Sequence, residues 1–229
     1  MYKKEKFKKL DSKYNTHLYT GLNGYFMRYC HRQLEKFNKK EKYSKVLEIG
    51  AGSAPLLNYL KHDFDEYFVA ETSSNALEFY KGNEKIKGYY YDGTKLPFKD
   101  NFFDRIIISH CLEHVNEPEK FLFEMMSKLK KDGVLSISLP TDPGLLWRLS
   151  RLFIKYFIVK KTYNVSKEEY DYINATEHIN SIFTLIYLIK YNFKNQIEED
   201  YLPFKIKLLD VNLFYNVHIT KWNILEENF

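Results

Sequence analysis

The sequence predicts an α/β fold in which a mostly parallel sheet is covered by helices on both faces. Short apolar runs of strand length alternate with helical segments between residues 45 and 140. This repeated order indicates parallel strands, because each helix carries the chain back across the sheet. The 229 residues, 45% of them hydrophobic, suffice for one such domain with a sizeable core.

Each predicted element has a local signal of its own. The apolar runs predict strands over residues 45–49, 67–70, 86–91, 102–108 and 134–139. The helices between them span residues 53–62, 75–81 and 118–130, with Ser74 and Pro118 as start signals for the last two. After Pro140 the alternation ends, and we expect helices over 144–161 and 178–193, separated by a polar, acidic stretch, and then strands over 204–209 and 212–220.

Composition restricts the function classes. The net charge of +5 is too small for a dedicated nucleic-acid binder, so we expect no nucleic-acid partner. Two cysteines, Cys30 and Cys111, cannot form a disulfide scaffold, which favours a reducing cytoplasm. The longest apolar stretch, residues 182–189, is too short to span a bilayer, and the basic N-terminus lacks the apolar core of a signal peptide. The oligomeric state is not predicted.

A glycine turn carries the cofactor prediction. Residues 48–52, Glu-Ile-Gly-Ala-Gly, lie directly between a predicted strand and a helix, where glycines allow a sharp turn and close approach to a ligand. Glu71 ends the next strand nineteen positions after Gly52, where a ribose-binding carboxylate belongs. The third glycine of a pyrophosphate-binding turn is absent, which argues against a dehydrogenase that uses NAD. A strand–turn–helix corner without a ligand is the alternative.

Several segments then identify a family. Residues 46–53 closely resemble motif I of the class I methyltransferases that use S-adenosylmethionine (SAM). Further segments resemble the type-11 methyltransferase subgroup in the same order along the chain: residues 70–73, 91–93, 96–98, 102–104, 109–115 and 130–135. The resemblance implies a Rossmann-like sheet of seven strands, the last one antiparallel. It also implies an enzyme that transfers methyl from SAM and releases S-adenosylhomocysteine (SAH).

With this resemblance, the chain divides into four parts of a single domain. Residues 1–44 form a tail and helices that cover the SAM site, and residues 45–140 form the SAM-binding core. Residues 141–200 form a helical insertion or lid, and residues 201–229 supply the strands that complete the sheet.

The resemblance also implies the residues that bind SAM. Gly50, Ala51 and Gly52 would lie against its methionine part, Glu71 would accept from the ribose hydroxyls, and Thr72 and Asp92 would contact the adenine. The full predicted set is Glu48, Gly50, Ala51, Gly52, Glu71, Thr72, Asp92, Gly93, Ser109, His110 and Tyr25. Tyr25 would contact the carboxylate end of SAM, although aromatic packing is the alternative explanation.

A hydroxyl or ammonium acceptor must lose a proton, and histidine is the side chain best suited to take it near neutral pH. The candidates are His110, Glu113 and His114, and on a helical turn His110 and His114, four residues apart, would share a face. The alternative is that His114 caps or packs at a helix start while Glu113 is solvated. Some quinone-biosynthesis methyltransferases that resemble this segment bind a divalent ion through two Glu and a His. Because His110 stands at one Glu position, we predict no metal.

Three residues after the core are candidates for acceptor binding. Asp142 follows the fifth strand, at the edge where α/β sheets bind ligands, although a plain turn explains it equally well. Glu177 and His178 are predicted to open a helix of the insertion and to reach the acceptor. In the alternative, Asn174 or Thr176 caps that helix and Glu177 interacts with its dipole.

Residues 147–157 form a basic, amphipathic segment. Such a helix can rest on a membrane surface, but more often it covers the core with Lys and Arg outward, which is the prediction here. The acceptor is expected to be a small molecule. Residues 143–147 and 177–180 resemble surface-polysaccharide methyltransferases, which favours a bacterial surface-polysaccharide precursor. A quinone or lipid acceptor is the alternative, and a non-catalytic SAM-binding protein is the alternative from another class.

Overall fold

Seven strands form one sheet in the computed structural model, which describes residues 21–37, 40–52, 55–82, 84–163 and 166–221. The spatial order is β3-β2-β1-β4-β5-β7-β6. The strands are β1 (Lys42–Ile49), β2 (Asp63–Glu71), β3 (Ile86–Tyr90), β4 (Phe103–Ser109), β5 (Leu129–Pro140), β6 (Ile197–Leu202) and β7 (Phe214–Thr220). The first five strands are parallel, and β7 is antiparallel to both of its neighbours. The predicted seven-stranded α/β sheet is confirmed.

Among the described residues, one α-helix precedes the first strand and the others lie between strands or in the insertion. They are α1 (Gly21–Leu34), α2 (Ser74–Leu77), α3 (Pro118–Lys128), α4 (Leu145–Phe153), α5 (Lys167–Glu177) and α6 (Ile182–Phe193). The wider helical turns of Ile154–Tyr163 continue α4. The predicted N-terminal tail lies outside the described residues.

The core fills both faces of the sheet. Side chains alternate between the faces of a strand, so β4 packs Ile106 and Ile108 into one cluster and Ile107 into another, all fully buried. This explains the unbroken apolar run of β4, since a parallel strand covered on both sides has no polar face.

A buried ion pair joins the N-terminal part of the chain to the sheet. Glu35 follows α1 directly, and both of its carboxylate oxygens accept from the guanidinium of Arg105 on β4, at 2.7 and 3.0 Å. Arg105 also donates to Ser136 on β5. These contacts fix the end of α1 against the central strands.

One predicted strand is wrong in position, and one predicted helix is wrong in length. The strand predicted over 204–209 is absent from that range, and β6 instead occupies the acidic run Ile197–Leu202. An edge strand has one neighbour only and can expose Glu198, so its sequence lacks a clear apolar signal. The strands that complete the sheet thus begin at residue 197, before the predicted boundary at 201. For the helix predicted over 53–62, the described residues 55–62 contain a short 3-10 helix at Pro55–Tyr59 and no α-helix.

The insertion holds one helix more than predicted. The acidic stretch forms α5, which Ser166 and Glu169 begin with a reciprocal capping box. The next helix begins at Ile182 with Ser181 as its cap, not at residue 178. Glu177 is therefore the last residue of α5, so the prediction that it opens a helix is wrong, as is the alternative of a cap at Asn174 or Thr176.

The outward face of α4 also differs from the prediction. None of its residues is buried, and its outer stripe is apolar rather than basic. Large side chains on this stripe are about half exposed, and it consists of Leu145, Leu149, Leu152 and Phe153, continued by Tyr156 and Phe157. Two of the basic residues turn inward, where Arg151 pairs with Asp142 and Lys155 pairs with Asp171. In the part of the chain that the structure describes, each helix is too short or too polar to span a bilayer.

Candidate active site

Four of the predicted cofactor residues lie at the carboxyl edge of the parallel strands. Gly50 follows β1, Glu71 is the last residue of β2, Asp92 follows β3, and Ser109 ends β4. Parallel neighbours end at the same edge, so residues that lie far apart in sequence become neighbours there.

The glycine turn has a backbone that other residues rarely adopt. Gly50 and Gly52 have φ angles of 67° and 54°, in the left-handed region. A Cβ at Gly50 would lie 3.0 Å from the Sγ atom of Cys111, so the turn packs directly on the segment after β4. A Cβ at Gly52 would instead point into open space.

Glu71 connects the end of β2 to this turn. Its Oε1 atom accepts a hydrogen bond from the Gly52 amide at 2.7 Å, and only 8% of the residue is exposed. Thr72, Asp92 and Gly93 lie beside it and are exposed. Asp92 Oδ1 accepts from the hydroxyl and the amide of Thr94, and these bonds lower the pKa of the Asp92 carboxyl.

These residues fit SAM. The space beside Gly52 and Gly93 is open, which leaves room for a ligand against the backbone. Among the described residues, Ser109 Oγ and His110 Nε2 are buried without a hydrogen-bond partner, at the end of β4. A bound ligand with polar atoms would satisfy them.

Two predicted cofactor residues have other surroundings. Glu48 is 2% exposed, and its Oε2 accepts from the Tyr67 hydroxyl inside the sheet. Burial raises the pKa of Glu48 to about 7, although the Tyr67 hydrogen bond opposes the shift. Tyr25 is 56% exposed and places its ring edge-on to Phe26, the packing contact of the alternative explanation.

The segment after β4 holds the three predicted base candidates. His110 lies before a short helical turn, Leu112–His114, with a positive φ of 51°, so His110 and His114 do not share one helix face as expected. Burial lowers the pKa of His110 to about 3, so its ring is neutral at pH 7. Glu113 is 3% exposed, which makes the alternative of a solvated Glu113 wrong. Burial raises its pKa to about 7, against the influence of His114.

The insertion folds back over this turn. The Asn180 amide donates to Glu113 O at 3.0 Å, and its side chain donates to Val115 O at 2.6 Å. His114 Nδ1 lies 2.6 Å from Glu177 O, so this histidine contacts the insertion instead of capping a helix. Glu177 and His178 are thus brought to the predicted base candidates.

Asp142 orients His178. Its Oδ2 lies 2.8 Å from His178 Nδ1 and 2.8 Å from Arg151 Nη1. Burial by itself would raise the pKa of the Asp142 carboxyl. The hydrogen bond with His178 and the charge of Arg151 lower it by more, so the pKa lies below its usual value. From sequence, Arg151 was placed in the basic segment 147–157 and Asn180 in the segment 177–180, but neither was assigned a role in the site.

Aromatic rings border these polar groups. Trp147 stacks near His178 with ring centroids 6.3 Å apart, and Phe214 meets His110 edge-on at 5.4 Å. His114 and Glu177 also line a surface cleft of about 270 Å³. The arrangement can hold an acceptor between an apolar wall and proton-accepting side chains.

Comparison with known proteins agrees with the geometry. The family described as Methyltransferase domain matches residues 47–137. A demethylmenaquinone methyltransferase of Staphylococcus haemolyticus is 30% identical over 188 residues, which cover 74% of this chain and 75% of the relative. A second demethylmenaquinone methyltransferase, from Clavibacter sepedonicus, is 29% identical over 58% of this chain. The chain spans only 57% of the length of that relative.

Solved structures share the fold over nearly the whole chain. A SAM-dependent methyltransferase of Thermotoga maritima, described as a possible histamine N-methyltransferase, has a TM-score of 0.64 at 19% identity and covers 94% of this chain and 97% of its own. The plantazolicin methyltransferase BpumL, crystallised with SAH, has a TM-score of 0.62 at 16% identity and covers 95% and 99%. The chain belongs to the class I SAM-dependent methyltransferases, in the type-11 subgroup, with SAM as its cofactor.

Proposed function

We propose that the protein transfers a methyl group from SAM to a small-molecule acceptor that binds between the edge of the sheet and the insertion. One observation carries this proposal: the glycine turn, Glu71 and the His110 segment adjoin at the carboxyl edge. The methyl group of a SAM bound there would lie beside groups able to accept a proton. SAM supplies an electrophilic methyl group, so the protein has to orient the acceptor and exclude water.

In this proposal, the cofactor residues have separate tasks. Gly50, Ala51 and Gly52 let the methionine part lie against the backbone. Glu71 accepts from the ribose hydroxyls through a carboxylate that the Gly52 amide already orients. Thr72, Asp92 and Gly93 border the adenine, and Ser109 borders the sulfonium. Glu48 supports the turn from inside the sheet, and Tyr25 covers the site from α1.

His110 is the proposed proton acceptor. Its Nε2 is buried without a hydrogen-bond partner among the described residues. Because the ring is neutral, it can take a proton from the group that is methylated. Phe214 limits the movement of this ring, and Cys111 holds the segment against Gly50. Glu113 and His114 lie next to it, while Asp142, Glu177 and His178 line the acceptor side.

A quinone is the acceptor class that we would test first. Curated relatives are named demethylmenaquinone methyltransferases, and one of them aligns with three quarters of this chain. The exposed apolar stripe of α4 is suited to contact with a membrane, where a lipid-tailed acceptor resides. A lipid-linked polysaccharide precursor is the second candidate, and the same stripe favours it because that acceptor also resides in a membrane.

Labelled SAM separates these possibilities. The untagged protein is incubated with demethylmenaquinone in lipid vesicles and, separately, with a polyprenyl-linked glycan extract, and transfer of label is measured. Label in the quinone supports the first acceptor, and label in the glycan supports the second. SAM binding by calorimetry without transfer to either acceptor or to a metabolite extract would support a non-catalytic SAM-binding protein.

His110→Ala tests the proton acceptor. We expect turnover to fall at least about 100-fold, the lower range for general-base catalysis, while SAM affinity changes little. His62→Ala is the control, because His62 precedes β2 at the opposite edge of the sheet. Unchanged turnover in His110→Ala would remove this residue from the role.

A further inference from the structure

Three side chains from two distant segments converge on one point beside the acceptor site. Glu113, His114 and His178 each offer a ligand atom within 4.8 Å of the other two. Two histidines and one carboxylate form a common ligand set for Zn²⁺ in proteins, with a fourth position open. We propose that these three residues bind a divalent transition metal ion, with Zn²⁺ as its probe.

The hydrogen bonds of the two histidines support this proposal. His178 Nδ1 lies 2.8 Å from the Asp142 carboxylate, and His114 Nδ1 lies 2.6 Å from the Glu177 carbonyl oxygen. Both partners can only accept, so each ring carries its proton on Nδ1 and keeps the lone pair on Nε2. Metal-binding histidines are held in the same way, by a carboxylate or a carbonyl on the other ring nitrogen.

The third side chain supplies an independent observation. Glu113 is 3% exposed, and its Oε2 is buried without a hydrogen-bond partner among the described residues. Its Oε1 lies 3.9 Å from His114 Nε2. A buried carboxylate oxygen of this kind needs a proton or a cation, and the histidine nitrogens around it favour a cation.

The site needs only small movements to close. Ligand atoms on a tetrahedral Zn²⁺ lie about 3.3 Å apart, given bonds of about 2.0–2.1 Å. The measured separations of up to 4.8 Å thus require shifts of about 1.5 Å, within the reach of side-chain rotation. His114 lines the surface cleft, so an ion reaches the site from solvent.

This ligand set differs from the one that sequence reasoning weighed and rejected. The rejected set required a Glu at the position that His110 occupies. In the structure, the third ligand is instead His178, which comes from the insertion. Asn180 secures this placement through its bonds to Glu113 O and Val115 O. Metal binding of this kind does not depend on the proposed methyl transfer.

Calorimetric titration with Zn²⁺ tests the inference on untagged, chelator-stripped protein. We expect one ion per chain, and an affinity that falls at least tenfold in His178→Ala, in His114→Ala and in Glu113→Gln. Asp142→Asn should weaken binding by about tenfold, because it acts through His178. The matched controls Glu117→Gln and His62→Gln should keep the affinity of the unmodified protein.

SAH titration of the same samples shows whether each variant is folded. If the unmodified protein binds SAH but no Zn²⁺, the metal site is refuted while the cofactor site stands. Zinc binding that survives His178→Ala in a variant that still binds SAH also refutes it. Loss of SAH binding in the unmodified protein would instead refute the proposed function, whatever the zinc result.

Discussion

Glu71 lies within hydrogen-bond distance of the glycine turn, so one carboxylate links the ends of two strands. Its position could be predicted from sequence, because an acidic residue at the end of the second strand follows from the spacing of the motif. Its bond to Gly52 could not, since that contact depends on how far β2 extends beyond β1. His178 was recognised as a candidate, but its partners Asp142 and Arg151 are set by the fold of the insertion.

Glu71→Gln keeps the shape of the side chain and removes its charge. We expect the affinity for SAH to fall roughly 10- to 100-fold, because hydrogen bonds to charged groups contribute about 1.5–3 kcal/mol. Calorimetry measures this, with Glu78→Gln as the control, since Glu78 is exposed and pairs with Lys81 only three residues away. Equal SAH affinity in the two variants would contradict the role of Glu71.

Among the elements, the central strands were the most predictable. β1, β2, β4 and β5 contain apolar runs because both faces of the sheet are covered. β6 and α5 were missed for one physical reason: neither depends on a strong apolar pattern. β6 lies at the edge of the sheet, where acidic residues are tolerated. The Glu of the capping box that begins α5 is one of several acidic residues in that stretch, so the start of the helix is hard to recognise from sequence.

The glycine turn is the element on which cofactor binding rests. Gly52→Ala places a methyl group in the open space beside the turn, at a φ of 54°. We expect a stability loss of about 1–2 kcal/mol from the left-handed backbone, together with a loss of SAH affinity of at least tenfold. Gly82→Ala is the matched control, since Gly82 has a φ of 85° and equally open space around it. Both variants should lose stability in chemical denaturation, but only Gly52→Ala should lose SAH affinity.

At the scale of the whole molecule, the order of the strands brings β1, β2 and β4 together and assembles the site from residues far apart in sequence. Sequence predicted this sheet well, because its signals are local. The fold of the insertion was less predictable. Asn180 and Glu177 contact the segment that follows β4 through backbone atoms, and such contacts do not require particular residue types that a sequence would show.

His31 stabilises the folded state at neutral pH, and this contribution should be lost in acid. This residue is 1% exposed, and burial lowers its pKa to about 4, although Glu35 opposes the shift. In the unfolded chain the His31 ring has a pKa near 6.5, so below that pH it binds a proton that the ring does not bind in the folded state. The stability that His31 contributes above pH 6.5 is therefore lost as the pH falls toward 4. We expect the His31 contribution to the free energy of unfolding to drop by about 2 kcal/mol between pH 7.5 and pH 5.

Urea denaturation at the two pH values measures this drop. Between these pH values, the change in the free energy of unfolding should differ by about that amount between His31→Gln and the unmodified protein, with the variant keeping more stability at pH 5. The contributions of His110, whose pKa is lowered, and of Glu48 and Glu113, whose pKa values are raised, should persist in the variant. The same pH dependence in the variant and in the unmodified protein would show that His31 is not the group that titrates.

A crystal structure of the protein with SAH tests the central claim most directly. We predict SAH at the carboxyl edge, its ribose hydroxyls on Glu71, its adenine beside Asp92 and its sulfur near Ser109 and His110. Side chains filling the space beside Gly52, or SAH bound away from Glu71, would contradict the account.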